Sequence, residues 1–135
     1  MAEPASASDI LVVMATLGRR PKFLQDALES IAHQAAKADV VLVGPTGGPV
    51  LRNASERFEA ALLPDPGSLP AAINLGIAER GAPYDFVTWL NDDDLLEPGA
   101  LQRTRQALLD HPYASVAYGF CRYIDGPGQQ LWVNK

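Results

Sequence analysis

Apolar and polar positions fall along this chain in alternating blocks of two kinds. Ile10–Ala15 (ILVVMA) is an unbroken apolar run of strand length, as expected of a strand buried on both faces of a parallel sheet. Thr16-Leu17-Gly18 breaks it, and Pro21 stands where the first helical residue favours proline. From there Leu24, Ala27, Leu28, Ile31, Ala32 and Ala35 lie on one helical stripe. Val40–Val43 predicts a short buried strand. Gly44–Pro49 (GPTGGP) predicts a loop, because three glycines and two prolines in six residues break either element.

The pattern then repeats. Ala60–Leu63 predicts a weak strand, ended by Pro64, Pro66 and Gly67. Ser68 is placed to cap a helix over Leu69–Arg80, with Gly81 just past its end. Phe86–Leu90 (FVTWL) reads as a buried strand, with Trp89 either in the core or flanking the pocket from the strand end, and Asn91-Asp92-Asp93-Asp94 follows directly. Pro98 or Gly99 opens a helix with Leu101, Thr104 and Leu108 inward, stopped by Pro112. Ser115–Ile124 reads as a longer strand, with Cys121 a small core residue, and Gly126-Pro127-Gly128 turns into a last strand at Gln130–Val133. Strands alternating with helices predict a three-layer α/β/α domain with a mainly parallel, Rossmann-like sheet. In such sheets ligands bind beyond the carboxyl ends of the strands, so Thr16–Lys22, Gly44–Pro49 and Asn91–Glu97 should share one edge.

Length and charge narrow the picture. At 135 residues the chain makes one domain, 10–135, behind a small polar tail at 1–9 expected to be disordered. The net charge of −5, with no basic cluster beyond Arg19, Arg20 and Lys22, argues against nucleic acid as a partner. One cysteine, Cys121, excludes an internal disulfide or an all-cysteine metal site, and two histidines are too few for a multi-histidine zinc site. No apolar run approaches the roughly 20 residues that span a bilayer, and the first residues lack the pattern of a signal peptide. The expectation is a reduced, soluble, cytoplasmic protein.

The acidic triplet Asp92-Asp93-Asp94 carries the candidate chemistry. Adjacent carboxylates repel one another, and hydration or a hard divalent cation such as Mg²⁺ or Mn²⁺ relieves that cost. Two readings stand: a solvated turn ahead of a helix N-terminus, where anions are welcome, or a metal site. The place of the triplet after an apolar strand, on the ligand edge of the sheet, favours the metal. Gly44–Pro49 lacks the lysine and spacing of a phosphate-binding P-loop.

Five segments together resemble the nucleotide-sugar-binding part of a family 2 glycosyltransferase of the GT-A fold. They are Val12–Arg19; Phe23–Ile31; Gly67–Ile77; Phe86–Gly99, which holds a DXD-type acidic motif as Asn91-Asp92-Asp93-Asp94; and Tyr118-Gly119 with Tyr123-Ile124-Asp125. The resemblance implies a hexosyltransferase-type enzyme that takes a nucleotide-diphosphate sugar donor and an unknown acceptor, with Mn²⁺ or Mg²⁺ as cofactor. It implies that Asp92 and Asp93 hold the metal, with Asp93 the direct ligand. Thr16, Arg19, Asn74, Gly76, Asn91 and Asp92 would contact the nucleotide sugar. The chain departs from the family at the end of the second strand, where Gly44-Pro45 stands in place of an acidic pair, and at Asn91, which replaces a common aspartate. The family places its acceptor pocket and catalytic base after the segment matched here, so this chain is expected to bind donor better than it transfers sugar, and to self-associate as a homo-oligomer. The alternative is a non-catalytic nucleotide-sugar-binding or scaffold domain. A response-regulator phosphoacceptor is disfavoured by Thr16 after the first strand and by the lack of lysine between Lys37 and Lys135.

Overall fold

A computed structural model describes residues 8–134. Most of the tail expected over 1–9 lies outside the described residues, and its last two residues are tied to the domain. Ser8 Oγ donates to the Lys37 carbonyl at 2.7 Å, and Asp9 forms a forked ion pair with Arg105, whose Nε lies 2.9 and 3.1 Å from its two oxygens.

The elements run β1 (Ile10–Ala15), α1 (Pro21–Ala32), β2 (Asp39–Gly44), α2 (Pro49–Arg57), β3 (Ala61–Pro64), α3 (Leu69–Arg80), β4 (Phe86–Trp89), α4 (Ala100–Asp110), β5 (Cys121–Ile124) and β6 (Gln130–Asn134). Four strands form one parallel sheet in the order β3-β2-β1-β4. β1 is central, and Val12, Val13 and Met14 are fully buried. Its alternate side chains feed two cores. Ile10, Val12 and Met14 pack with Leu42 against α1 (Leu24, Ala27, Leu28, Ile31), Leu51 of α2 and Leu101 of α4. Leu11 and Val13 pack with Val41 and Val43 against Ala72 of α3. Helices therefore cover both faces, and the three-layer α/β/α expectation holds.

Gly76 sets how closely α3 lies on the sheet. A Cβ there would stand 2.5 Å from Val13 Cγ1, so any side chain would lift the helix off β1. At the other end of the helix, Ser68 Oγ accepts from the Ala71 amide at 3.3 Å, the cap that the sequence predicts.

Four expectations are corrected. Pro49–Arg57 is a helix where only the end of a loop was expected; Pro49 opens it and Leu51 anchors it in the core. The stripe on the first helix stops at Ile31: α1 ends at Ala32, which is exposed, and Ala35 lies beyond it. β4 is an outer strand of the sheet. Its Val87 and Trp89 share the face of Leu11 and Val13, but α3 packs over β1 and β2 and leaves them 43% and 59% exposed. The long strand expected over Ser115–Ile124 forms only at Cys121–Ile124, where it pairs antiparallel with β6 in a separate hairpin. Cys121 is exposed there, and Tyr123 stacks on Trp132 with ring centroids 3.8 Å apart. Among the described residues no helix is long and apolar enough to cross a membrane.

Candidate functional site

Because β1, β2, β3 and β4 are parallel, their carboxyl ends open on one edge of the sheet. At that edge β1 ends in Thr16, which is 5% exposed. The Thr16 amide donates to the Val43 carbonyl at 3.0 Å, which carries the β1–β2 ladder one residue past the strand. Its hydroxyl then donates to Asp92 Oδ2 at 2.7 Å and accepts from the Gly18 amide at 3.0 Å. Both hydrogen-bonding directions of the hydroxyl are used, so the residue after the central strand fixes the first carboxylate of the acidic tip.

Arg20 completes the network. Its guanidinium lies 3.1 Å from Asp93 Oδ2 and 3.6 Å from Asp92 Oδ1, and 5.7 Å from the centroid of the Phe23 ring. Pro21 at the first position of α1 holds the Arg20 backbone just ahead of the helix. The family resemblance implies that Arg19 contacts the nucleotide sugar. Arg19 also lines the cleft described below, but Arg20 is the residue on the carboxylates.

The second half of the acidic tip turns away from this network. Asn91 Nδ2 donates to Asp94 Oδ2 at 3.3 Å, and the Asp94 amide donates to the Asn91 carbonyl at 3.2 Å. The Asp94 carboxyl is held above the usual carboxylate range, chiefly because the surrounding chain strips water from it and then because Asp93 repels its charge; the Asn91 hydrogen bond opposes both. The loop that follows is fastened to α1. Leu96 N donates to Ser30 Oγ at 3.0 Å, the side-chain amide of buried Gln34 donates to the Glu97 carbonyl at 2.8 Å, and Gln34 Oε1 accepts from Leu101 N at 3.1 Å. Nothing in the sequence distinguishes Ser30 and Gln34 from ordinary polar positions at a helix end; their role depends on a loop more than sixty residues away.

A cleft of about 560 Å³ lies over this edge, lined by Ala15, Thr16, Leu17, Arg19, Arg20, Val43, Asp65, Gly67, Ser68, Leu69, Ala72 and Asp92. Ala15, Leu17, Val43, Leu69 and Ala72 give it apolar wall, and Thr16, Arg19, Arg20 and Asp92, with Asp65 and Ser68 of the β3–α3 loop, give it polar wall. Of the sequence-nominated residues, Thr16, Arg19 and Asp92 line it. Asp93 adjoins through Arg20, and Asn91 sits behind with Asp94. Asn74 is exposed on α3, and Gly76 packs on Val13; neither is among the lining residues. The Asp65–Ser68 loop, which the sequence shows only as a strand break and helix cap, supplies three lining residues. Asp65 Oδ1 accepts from the Gly67 amide at 2.9 Å.

Gly44 explains the departure at the end of the second strand. A Cβ on it would stand 2.0 Å from the Thr16 carbonyl oxygen and 2.7 Å from Leu51 Cδ1. The backbone of Thr16 and the first turn of α2 occupy the space where a side chain would stand.

The donor set suits a shared metal better than a resident one. Among the described residues no three His, Cys, Asp or Glu side chains are grouped as a metal site. Asp92 Oδ1 and Asp93 Oδ2 are hard carboxylate oxygens on one point, the Arg20 guanidinium. Mg²⁺ commonly takes one or two carboxylates and completes its shell with water and substrate phosphates, so the pair fits a cation that arrives with a phosphate ligand.

No protein-family model matches the chain, and no curated protein matches it significantly. Solved structures do. The crystal structure of S. aureus TarS 1–349 superposes with a TM-score of 0.63 at 18% identity, covering 77% of this chain and 33% of that one. The same fragment in complex with UDP gives a TM-score of 0.59 at 19% identity, with the same coverage. A longer TarS structure gives 0.58 at 17%, covering 76% of this chain and 19% of that one. The chain has the fold of part of TarS and spans about a third of the length of the 1–349 fragment.

Proposed function

We propose that this chain is the donor-binding part of a glycosyltransferase that uses a nucleotide-diphosphate sugar. One observation carries the reading. The Thr16–Asp92–Arg20–Asp93 network stands at the carboxyl ends of β1 and β4, beside a partly apolar cleft, in a fold shared with a protein solved in complex with UDP. The apolar lining from Ala15, Leu17, Val43 and Leu69 suits the flat faces of a nucleoside. Arg19, Arg20 and the N-terminus of α3, where Ser68 and Leu69 line the cleft, offer positive potential to a diphosphate.

Asp92 and Asp93 are the residues that would hold Mn²⁺ or Mg²⁺, and such an ion, when bound, offsets the charge that develops on a diphosphate leaving group. The chain's own residues do the rest. Thr16 holds Asp92 in one orientation through a 2.7 Å hydrogen bond, and Ser30 and Gln34 hold the loop behind the acidic tip. Arg20 offsets one of the pair's two charges.

Binding without transfer is the second reading: outside the acidic tip, Asp65 is the one carboxylate among the described residues that lines the cleft, and its Oδ1 is taken by the Gly67 amide. Asp125 closes the β5–β6 turn by accepting from the Gln129 amide at 2.7 Å, and Asp110 accepts from Gln106 on α4 at 2.8 Å. Neither lines the cleft. Transfer requires a base within hydrogen-bond reach of an acceptor hydroxyl.

A thermal-shift panel of UDP, GDP, CDP and TDP sugars, with and without Mn²⁺, tests the proposal. The expected result is stabilisation by one nucleotide class that grows when Mn²⁺ is added, about 2.7 kcal/mol at a hundredfold excess over Kd. Asp93→Ala is expected to abolish the Mn²⁺-dependent part. A variant that responds like the wild type in calorimetry refutes the metal assignment, and rapid transfer to a defined acceptor refutes the second reading.

A further inference from the structure

We infer that Arg20 is a built-in counter-cation for the acidic pair, which a divalent ion has to displace, so that the metal binds well only together with a diphosphate. The inference rests on the reading of Asp92 and Asp93 as the metal's ligands.

Three of the four oxygens of the pair are already engaged. Asp92 Oδ2 accepts the Thr16 hydroxyl at 2.7 Å. Asp92 Oδ1 and Asp93 Oδ2 both face the same terminal nitrogen of Arg20, at 3.6 and 3.1 Å. A cation bridging these two oxygens must take the place of that nitrogen, because a guanidinium and a divalent ion cannot share it without strong like-charge repulsion.

Arg20 can leave at low cost. Its side chain is 53% exposed, so its charge is not stranded away from water when it moves, and an exposed ion pair contributes little net stability. It also has somewhere to go. Arg20 lines the cleft, and a guanidinium binds phosphate oxygens in the same two-pronged way that it binds carboxylates. A diphosphate in the cleft therefore gives the arginine a new partner and gives the incoming ion its missing oxygens. A free ion offers neither exchange. Arg20 is thus a positioning residue that suppresses binding of metal alone and permits binding of metal with diphosphate.

The test measures protein-retained Mn²⁺ by equilibrium dialysis, across a membrane that Mn²⁺ and its pyrophosphate complex pass freely, with and without inorganic pyrophosphate as a diphosphate probe that carries no base. Wild type, Arg20→Ala, Asp93→Ala and Arg52→Ala are compared, each checked for folding by circular dichroism. Arg52 is exposed on α2 and forms no ion pair among the described residues, so its removal controls for net charge alone. Arg20→Ala is expected to tighten Mn²⁺ binding by about three- to fivefold without pyrophosphate. It is expected to lose most of that advantage when pyrophosphate is present, and Arg52→Ala is expected to change affinity less than twofold. Equal or weaker Mn²⁺ binding by Arg20→Ala, while Asp93→Ala loses it, overturns this inference and leaves the metal site standing. An equal gain in Arg52→Ala also overturns it, because the effect is then one of net charge. Unchanged Mn²⁺ binding in Asp93→Ala overturns the metal site and the inference with it.

Discussion

Gly44→Ala is the most direct test of how the cleft is built. Gly44 ends β2 directly beneath Thr16, the residue that holds Asp92. The added Cβ would meet the Thr16 carbonyl oxygen at 2.0 Å and Leu51 Cδ1 at 2.7 Å, whereas ordinary contact begins at 3.4 Å. Leu51 can turn, but the carbonyl belongs to the sheet backbone, so β1 and β2 have to part by more than an ångström. That movement takes the Thr16 N to Val43 O bond, now 3.0 Å, out of hydrogen-bond range. Overpacking costs about 1–3 kcal/mol and the lost bond about 1, for a total of about 2–4 kcal/mol. Against a typical total of about 5–15 kcal/mol this is a large fraction. At about 4 °C per kcal/mol for a chain of this size, Tm falls by roughly 8–16 °C. Urea denaturation followed by circular dichroism measures it, with Gly47→Ala as the reference, since nothing lies within 4 Å of a Cβ at that position. The midpoint is expected to fall with m unchanged. A Gly44→Ala midpoint matching that of Gly47→Ala refutes the steric argument and reopens the end of β2 to a side chain.

Two further substitutions probe the site and its support. Thr16→Val removes the hydroxyl that joins Asp92 Oδ2 to the Gly18 amide. It is expected to cost about 1–3 kcal/mol and to weaken nucleotide binding, while Thr16→Ser retains both; equal nucleotide affinity in the valine variant removes Thr16 from the binding role. Tyr84→Phe reads a pH dependence. Partial burial, together with the hydrogen bond its hydroxyl donates to Asp39 at 2.6 Å, pushes the Tyr84 phenol up from 10.0 to about 12. The folded state therefore holds that proton more tightly than the unfolded chain. The contribution is fully present below pH 10 and is lost as pH rises towards 12. Urea midpoints across that range are expected to fall more steeply for wild type than for Tyr84→Phe, and parallel curves sink the assignment.

The sequence by itself determined whatever depends on neighbours along the chain. β1 is legible because six consecutive apolar residues leave no polar face. α1 is legible because a proline opens a recurring apolar stripe, and α3 because Ser68 caps its start and Gly81 follows its end. The acidic tip was found because three carboxylates follow a strand directly. Tertiary structure decided the rest. α2 hid behind GPTGGP because its short apolar face becomes significant only when Leu51 meets β2 and α1. Trp89 looked like core because FVTWL carries no mark of whether α3 reaches across to β4. Adjacent arginines look equivalent in sequence, and only the chain turn at Pro21 aims Arg20, not Arg19, at Asp93. Local pattern sets which dihedral angles a segment prefers. Whether a position is an edge, a contact or a charge partner depends on atoms brought from distant parts of the chain. For Gly44 those atoms are a carbonyl on β1 and a leucine on α2, and together they leave no room for a side chain.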